Sequence, residues 1–306
     1  MGISGVAVSP TSPIFATTSD DMTWKLWSLP RGELIMTGKG GNSWFAGGAF
    51  HPSGSLFATA GADGKAKIWN LAEQRCVSQL LGHTQPVWDI QFHEGQHTAL
   101  TASGDNTARL WDIHTSQLLR VFRGHVDAIN RVRWIPHTAT FLTASGDKTV
   151  SLWDARTGLC VQSFFGHAGA VRALDVSPSA NAFVSGDARG MIKLWDLSTG
   201  AEVMTYDQGS TTALGSTTGI DIELGVNSLT FDPTGKSFVA AIDSGKVRVF
   251  QRENPEVETQ RHGAYDLAGE MQVHSAESIV QDLVITKNGD FAIAGGNDGQ
   301  VMIWQL

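Results

Sequence analysis

Tryptophan returns in this chain at a fixed interval. The tripeptides Lys25-Leu26-Trp27, Lys67-Ile68-Trp69, Arg109-Leu110-Trp111, Ser151-Leu152-Trp153 and Lys193-Leu194-Trp195 repeat at a constant step of 42. Two weaker copies, Arg248-Val249-Phe250 and Met302-Ile303-Trp304, follow at steps of 55 and 54. Three copies are preceded by a Gly-His pair, Gly82-His83, Gly124-His125 and Gly166-His167, and three run on from Trp into Asp, at Asp112, Asp154 and Asp196. Seven registered copies make one repetitive architecture the leading expectation, because a unit of this size cannot bury its apolar face alone and must stack on its neighbours.

Within one copy the pattern is strand after strand. Val87 to Phe92, Ala99 to Ser103, Ala108 to Trp111 and Leu118 to Phe122 are short alternating or apolar runs, divided by turn-formers such as His93-Glu94-Gly95 and Gly104-Asp105-Asn106. Four strands in 42 residues leave no room for a crossover helix, so adjacent strands pair as antiparallel hairpins. The repeat length, the Gly-His pair and the Trp-Asp ending resemble the WD40 repeats, each of which is one four-stranded blade of a β-propeller. The resemblance implies an all-β, seven-bladed propeller. Its blades fall at about 1–39, 40–81, 82–123, 124–165, 166–224, 225–273 and 274–306.

The family's signature residues lock each blade through a hydrogen-bonded chain of His, a strand hydroxyl, a turn Asp and Trp. By resemblance this chain is His83, Thr101 or Ser103, Asp105 and Trp111, then His125, Thr143 or Ser145, Asp147 and Trp153, with His167 and Trp195 in the next blade. A His, Asp and hydroxyl grouping imitates a hydrolase triad, but it recurs from blade to blade, whereas a catalytic constellation occurs once. Six of the ten Trp occupy the locking position. Three blades depart from the pattern. Blade two has Gly40-Gly41 in place of Gly-His, and blade five sets Asp187 eight residues before Trp195 instead of six. Blade six carries Phe250 for Trp and Ser244 for Asp.

Composition narrows the function. Charged residues are 17%, below the roughly 25% of ordinary domains, and the net charge of −8 supplies no global basic field for nucleic acid or an anionic membrane. Cys76 and Cys160 are too few for a disulfide scaffold and read as small buried apolar side chains in a reducing, cytoplasmic setting. No basic stretch opens the chain, and Val6 stands where a myristoylation motif needs Ser or Thr. Thr234-Gly235-Lys236-Ser237 ends like a phosphate loop, but Thr230 occupies the place of its first Gly. Neither a cofactor nor a metal is expected, since His51, His93 and His137 recur near first hairpin turns rather than clustering.

What remains is a surface for partners. In WD40 domains the side chains three and five positions after the Gly-His histidine reach the upper rim of the central channel. Here these are Pro86 and Trp88, Ala128 and Asn130, Ala170 and Arg172, and by register Trp44 and Ala46. Trp44, Trp88, Asn130 and Arg172 are therefore the candidate partner-binding residues, an aromatic and Arg composition typical of interface hot spots. Two insertions, 207–225 and 251–273, read as flexible excursions, or as connections from one blade's outermost strand to the next blade's innermost, where together they would form a partner-specific rim. Blade seven ends on its third strand with almost no chain before Ile3 to complete it. It is expected to stay three-stranded or to take a donor strand along Val301 to Trp304, an edge without charge to deter pairing. On that count the chain reads as a C-terminal portion or a shortened product.

Two narrower resemblances bear on the role. Trp153-Asp154-Ala155-Arg156 is similar to the Trp-Asp-x-Arg ending through which some WD40 proteins dock a cullin-ring ubiquitin ligase adaptor, which implies Arg156 as the docking residue of a substrate receptor. The segments Thr143 to Asp147, Trp153 to Gly158 and Ser185-Gly186-Asp187-Ala188-Arg189-Gly190 resemble the sperm-associated antigen 16 family of ciliary central-apparatus proteins. That resemblance implies a non-catalytic, microtubule-associated component of the ciliary or flagellar axoneme with axonemal protein partners. A general signalling or assembly platform is the third reading.

Overall fold

A computed structural model describes residues 1–40, 43–95, 97–207, 225–252, 265–275 and 278–306. Every regular element among them is a strand, arranged as seven separate antiparallel sheets. Blade one is β1 (Ile3–Val8), β2 (Ile14–Ser19), β3 (Thr23–Ser28) and β4 (Leu34–Lys39), and blade two is β5 (Phe45–Phe50), β6 (Leu56–Gly61), β7 (Lys65–Asn70) and β8 (Arg75–Leu81). Blade three is β9 (Val87–Phe92), β10 (Thr98–Ser103), β11 (Thr107–Asp112) and β12 (Leu118–Arg123); blade four is β13 (Ile129–Trp134), β14 (Thr140–Ser145), β15 (Val150–Asp154) and β16 (Cys160–Phe164). Blade five is β17 (Val171–Val176), β18 (Ala182–Asp187), β19 (Met191–Asp196) and β20 (Glu202–Asp207), and blade six is β21 (Val226–Phe231), β22 (Ser237–Ile242), β23 (Lys246–Arg252) and β24 (Tyr265–Gln272). Blade seven has three strands only, β25 (Val280–Ile285), β26 (Phe291–Gly296) and β27 (Val301–Gln305). The fold is the seven-bladed propeller that the Trp spacing implies.

Burial explains why the second strands read as apolar runs. From its second residue on, β2, β6, β10, β14, β22 and β26 are continuously buried, since each lies in mid-blade with a neighbouring blade against both faces. The outer strands are much more exposed, and β8 alternates between exposed and half-buried residues over most of its length, because only one side meets a neighbouring blade. Apolar clusters accordingly straddle blade junctions; Leu100, Ala102 and Phe122 of blade three pack with Val132, Phe141 and Trp153 of blade four. The ring closes by packing β1 against β25 and β26, and the Val6 amide donates to Asp282 at 2.9 Å.

Two expectations need correction. Cys76 is half-buried and Cys160 exposed, not core residues, because both lie on outer strands opposite the bulges at Trp69 and Trp153. The two insertions also differ in place. Residues 208–224 join outer strand β20 to inner strand β21, whereas β24 pairs with β23 along Lys246 to Arg252, so 253–264 join the third and fourth strands of blade six. The two insertions therefore leave from opposite ends of the strands. Their own residues, 208–224 and 253–264, lie outside the described residues.

Candidate functional site

The locking chain has the same geometry in blades three and four. Trp111 Nε1 donates to Thr101 Oγ1 at 2.9 Å, His83 Nε2 lies 2.7 Å from that oxygen, and His83 Nδ1 lies 2.8 Å from Asp105 Oδ2. In blade four Trp153, Thr143, His125 and Asp147 repeat it at 2.9, 2.7 and 2.7 Å. Thr101 and Thr143 are thus the strand hydroxyls, while Ser103 and Ser145 donate to the carbonyls of Gln85 and Asp127. Burial lowers the His83 pKa and keeps the ring neutral, and the neutral ring satisfies every partner when Nδ1 carries the proton. Burial alone would raise the Asp105 carboxyl, but hydrogen bonds from Thr107 and His83 outweigh it and hold the pKa below its ordinary value; the same holds for Asp147. The bonded atoms of each lock are thus satisfied within the blade, and His83, Thr101, His125 and Thr143 are buried.

Blade five reaches the same end by another position. Asp187 occupies the register place of Ser103 and Ser145, yet its Oδ2 lies 3.2 Å from His167 Nδ1, and Ser185 bridges His167 and Trp195 at 2.7 and 2.9 Å. Blade seven holds a fourth locking histidine that sequence inspection missed. His274 Nδ1 lies 3.0 Å from Asp298 Oδ2. No Gly precedes His274, and it stands 24 residues before its Asp instead of 22, which hid the match. Its Nε2 is buried without a partner among the described residues, since Ala294 replaces the strand hydroxyl. Trp304 therefore has no hydroxyl to meet, so five of the six Trp at the locking position make the bond.

The mouth of the channel is built by bulges. Each inner strand carries a register shift spanning one unpaired residue, and these are Ser4, Ala46, Trp88, Asn130, Arg172, Asn227 and Gln281. A bulge leaves its residue out of the ladder and re-aims its side chain. All seven line one cavity of about 420 Å³ at the end of the channel that bears the turns between second and third strands, together with Trp44, Asp20 and Asp243. Trp44, Trp88, Asn130 and Arg172, the residues singled out by spacing, thus meet at one opening. The Trp44 and Trp88 rings pack at 5.6 Å between centroids, and both are half-buried. Trp88 Nε1 is buried with no hydrogen-bond partner among the described residues. Arg172 is about half exposed and lies 4.0 Å from Asp243, while the Asn130 amide donates to the Val171 carbonyl at 2.8 Å.

Below the mouth, a charged network crosses the channel wall, and no sequence signal announced it. Arg131 donates to Asp282 at 3.1 Å, Arg133 donates to Asp89 at 2.7 Å, and Arg133 Nε lies 3.6 Å from Asp175. Asp89, Asp175 and Asp282 also accept the backbone amides of Val132, Phe231 and Val6 on the following blades. Burial pushes the Asp175 carboxyl up even beside Arg133. Burial opposes the Arg133 charge, but the three aspartates outweigh it and raise that pKa.

Arg156 lies at the opposite end of the ring, in the turn after β15. Its side chain is 79% exposed and 3.6 Å from Asp154, and its carbonyl accepts from Arg120 at 2.9 Å. Among the described residues no group of three or more His, Cys, Asp or Glu is arranged to hold a metal ion.

A ring of stacked four-stranded blades locked by Trp, hydroxyl, His and Asp is the architecture of WD40-repeat propellers. The family described as WD domain, G-beta repeat matches residues 1–28, 32–70, 74–112, 116–154, 158–196 and 266–305, most of the chain, and the chain belongs to that family. The match passes over 197–265, which hold β20 and the first three strands of the blade in which Phe250 replaces Trp. Among individual proteins the chain is similar to the Flagellar WD repeat-containing protein Pf20 of Chlamydomonas reinhardtii, 50% identical over 40 residues. That stretch is 13% of this chain and 7% of the relative.

Proposed function

We propose that this protein is a non-catalytic scaffold that captures partner proteins at the channel mouth and serves as a microtubule-associated component of the ciliary or flagellar axoneme. The observation that carries the capture site is the convergence of all seven bulged residues on one opening. There the Trp44 and Trp88 pair and a half-exposed Arg172 supply the side chains that most often dominate protein interfaces. The axonemal role rests on the similarity to the flagellar relative and on the segments from Thr143 to Trp195. Fractionation of ciliated cells tests it. A tagged chain should stay with detergent-extracted axonemes, and release of the whole pool with the detergent supernatant would refute the placement.

A ligase-receptor reading has one observation in its favour, the exposed Arg156 whose backbone is fixed by Arg120. It requires capture of the ligase adaptor that Arg156→Ala abolishes.

A further inference from the structure

Two charges at the channel mouth are not spent inside the protein, and they are of opposite sign. The first is Asp20. Gly2 and Trp44 hold the same place in blades one and two, since the Gly2 carbonyl accepts the Asp20 amide as the Trp44 carbonyl accepts the Ala62 amide. Blade one therefore carries an acid where blade two has Ala62, and a glycine where blade two has Trp44. The missing side chain at Gly2 leaves room for the carboxylate, because a Cβ there would lie 3.0 Å from Asp20 Oδ2. Both residues line the mouth cavity.

Blade six repeats the same pair of residue types and shows what a spent carboxylate looks like. Asp243 accepts the Gly225 amide at 3.0 Å and the Asn227 side-chain amide at 2.7 Å, with Arg172 beside it at 4.0 Å. Asp20, by contrast, is exposed, and its carboxylate makes no hydrogen bond or ion pair among the described residues. The second open charge is Arg172. Its 4.0 Å contact with Asp243 is too long for a hydrogen bond, so its half-exposed N–H groups keep their donor capacity. Asp20 stands on blade one and Arg172 on blade five, three blades apart the short way round, which is the widest separation a ring of seven allows. On the other path between them lie Trp44, on the blade next to Asp20, and Trp88 on blade three, midway.

We propose that the mouth takes an extended partner segment that presents a basic, an apolar and an acidic side chain on one face. The basic side chain meets Asp20 and Trp44, the apolar one packs on Trp88, and the acidic one meets Arg172. This inference rests on the channel mouth as the capture site, and adds the chemistry of what is captured and the way it lies. Arginine suits the basic position, because a guanidinium bonds a carboxylate through two N–H groups and also stacks on an indole face. Opposed poles reject as well as attract. A wholly basic segment brings a cation to Arg172, and a wholly acidic one brings an anion to Asp20.

The probe is the capped pentapeptide Arg-Gly-Leu-Gly-Glu, whose three larger side chains share one face when extended, titrated at low salt into the 306-residue protein by calorimetry. Saturable one-to-one binding that weakens about tenfold when Met replaces Arg, or when Gln replaces Glu, is the expected result. Asp20→Asn in the protein should erase the preference for Arg over Met and keep that for Glu over Gln, and Arg172→Gln should do the reverse. Should either variant fail to fold, the other variant and the peptide substitutions decide the matter. Absence of binding at millimolar peptide, equal affinity for the three peptides, or loss of both preferences in a single folded variant would overturn the proposal. Capture of axonemal protein by the Trp88→Ala, Arg172→Ala chain tests the mouth separately. Lost capture together with equal peptide affinities would sink the charge pattern and leave the mouth standing, whereas undiminished capture would sink the mouth itself.

Discussion

Asp187 holds His167 at 3.2 Å from a position two residues earlier than the one Asp105 uses to hold His83. The fully buried carboxylate also accepts the amides of Gly169, Arg189 and Met191. Burial would raise its pKa, but these bonds bring it down to about 2.

Since an Asp in the unfolded chain titrates at about 3.9, the unfolded state binds more protons between these values, and stability falls as the pH is lowered. The contribution of Asp187, about 2 kcal/mol, is fully present above about pH 5, declines as the pH falls and is gone by about pH 1. Asp187→Asn should therefore lower the urea midpoint strongly at pH 7 and much less at pH 2.5. Parallel losses at the two pH values would show that the charge plays no part.

Blades six and seven lose the lock in different ways, and the difference has an energetic consequence. Blade six replaces Trp by Phe250 and the hydroxyl by Ala240, so donor and acceptor vanish together, a change that can be nearly neutral. Blade seven loses only the hydroxyl, which leaves His274 Nε2 buried and unsatisfied. Ala294→Ser should supply the missing partner and raise stability by about 1 kcal/mol. Chemical denaturation of Ala294→Ser beside Ala292→Ser, which lies off the lock, checks this. Equal effects of the two substitutions would refute it.

Ring closure depends on a buried charge. Asp282 accepts from Arg131 at 3.1 Å, Ser228 at 2.8 Å and the Val6 amide at 2.9 Å, joining blades four, six, seven and one. Asp282→Ala takes away the carboxylate that Arg131 hydrogen-bonds and leaves the guanidinium only Asp89, 3.9 Å away, and should cost about 3 kcal/mol. Equilibrium denaturation measures the loss, and a change below about 1 kcal/mol would mean that water replaces the carboxylate.

The fold was legible because Trp27 to Trp195 keep a strict step, and a blade's geometry tolerates little change in register. The mouth was legible for a related reason. Position five after His83 is the bulged residue and position three lies just before its strand, and both recur with the repeat. His274 escaped notice because its spacing and its preceding residue both changed. The Arg131 and Asp282 pair escaped because its partners are 151 residues apart and belong to no repeating motif. Placing both insertions on one face failed because Tyr265–Gln272 forms the outer strand after the second one.

The capture site permits a test that separates binding from folding. Trp88 and Arg172 project from bulges, outside the ladders that hold the blades together, so Trp88→Ala with Arg172→Ala should shift the melting temperature by only a few degrees. The decisive measurement is capture of axonemal protein by immobilised wild-type and doubly substituted chains. At least a tenfold loss of captured partner with the fold intact is the result predicted from hot-spot energetics. Undiminished capture by the folded double variant would contradict the assignment of the channel mouth as the partner site.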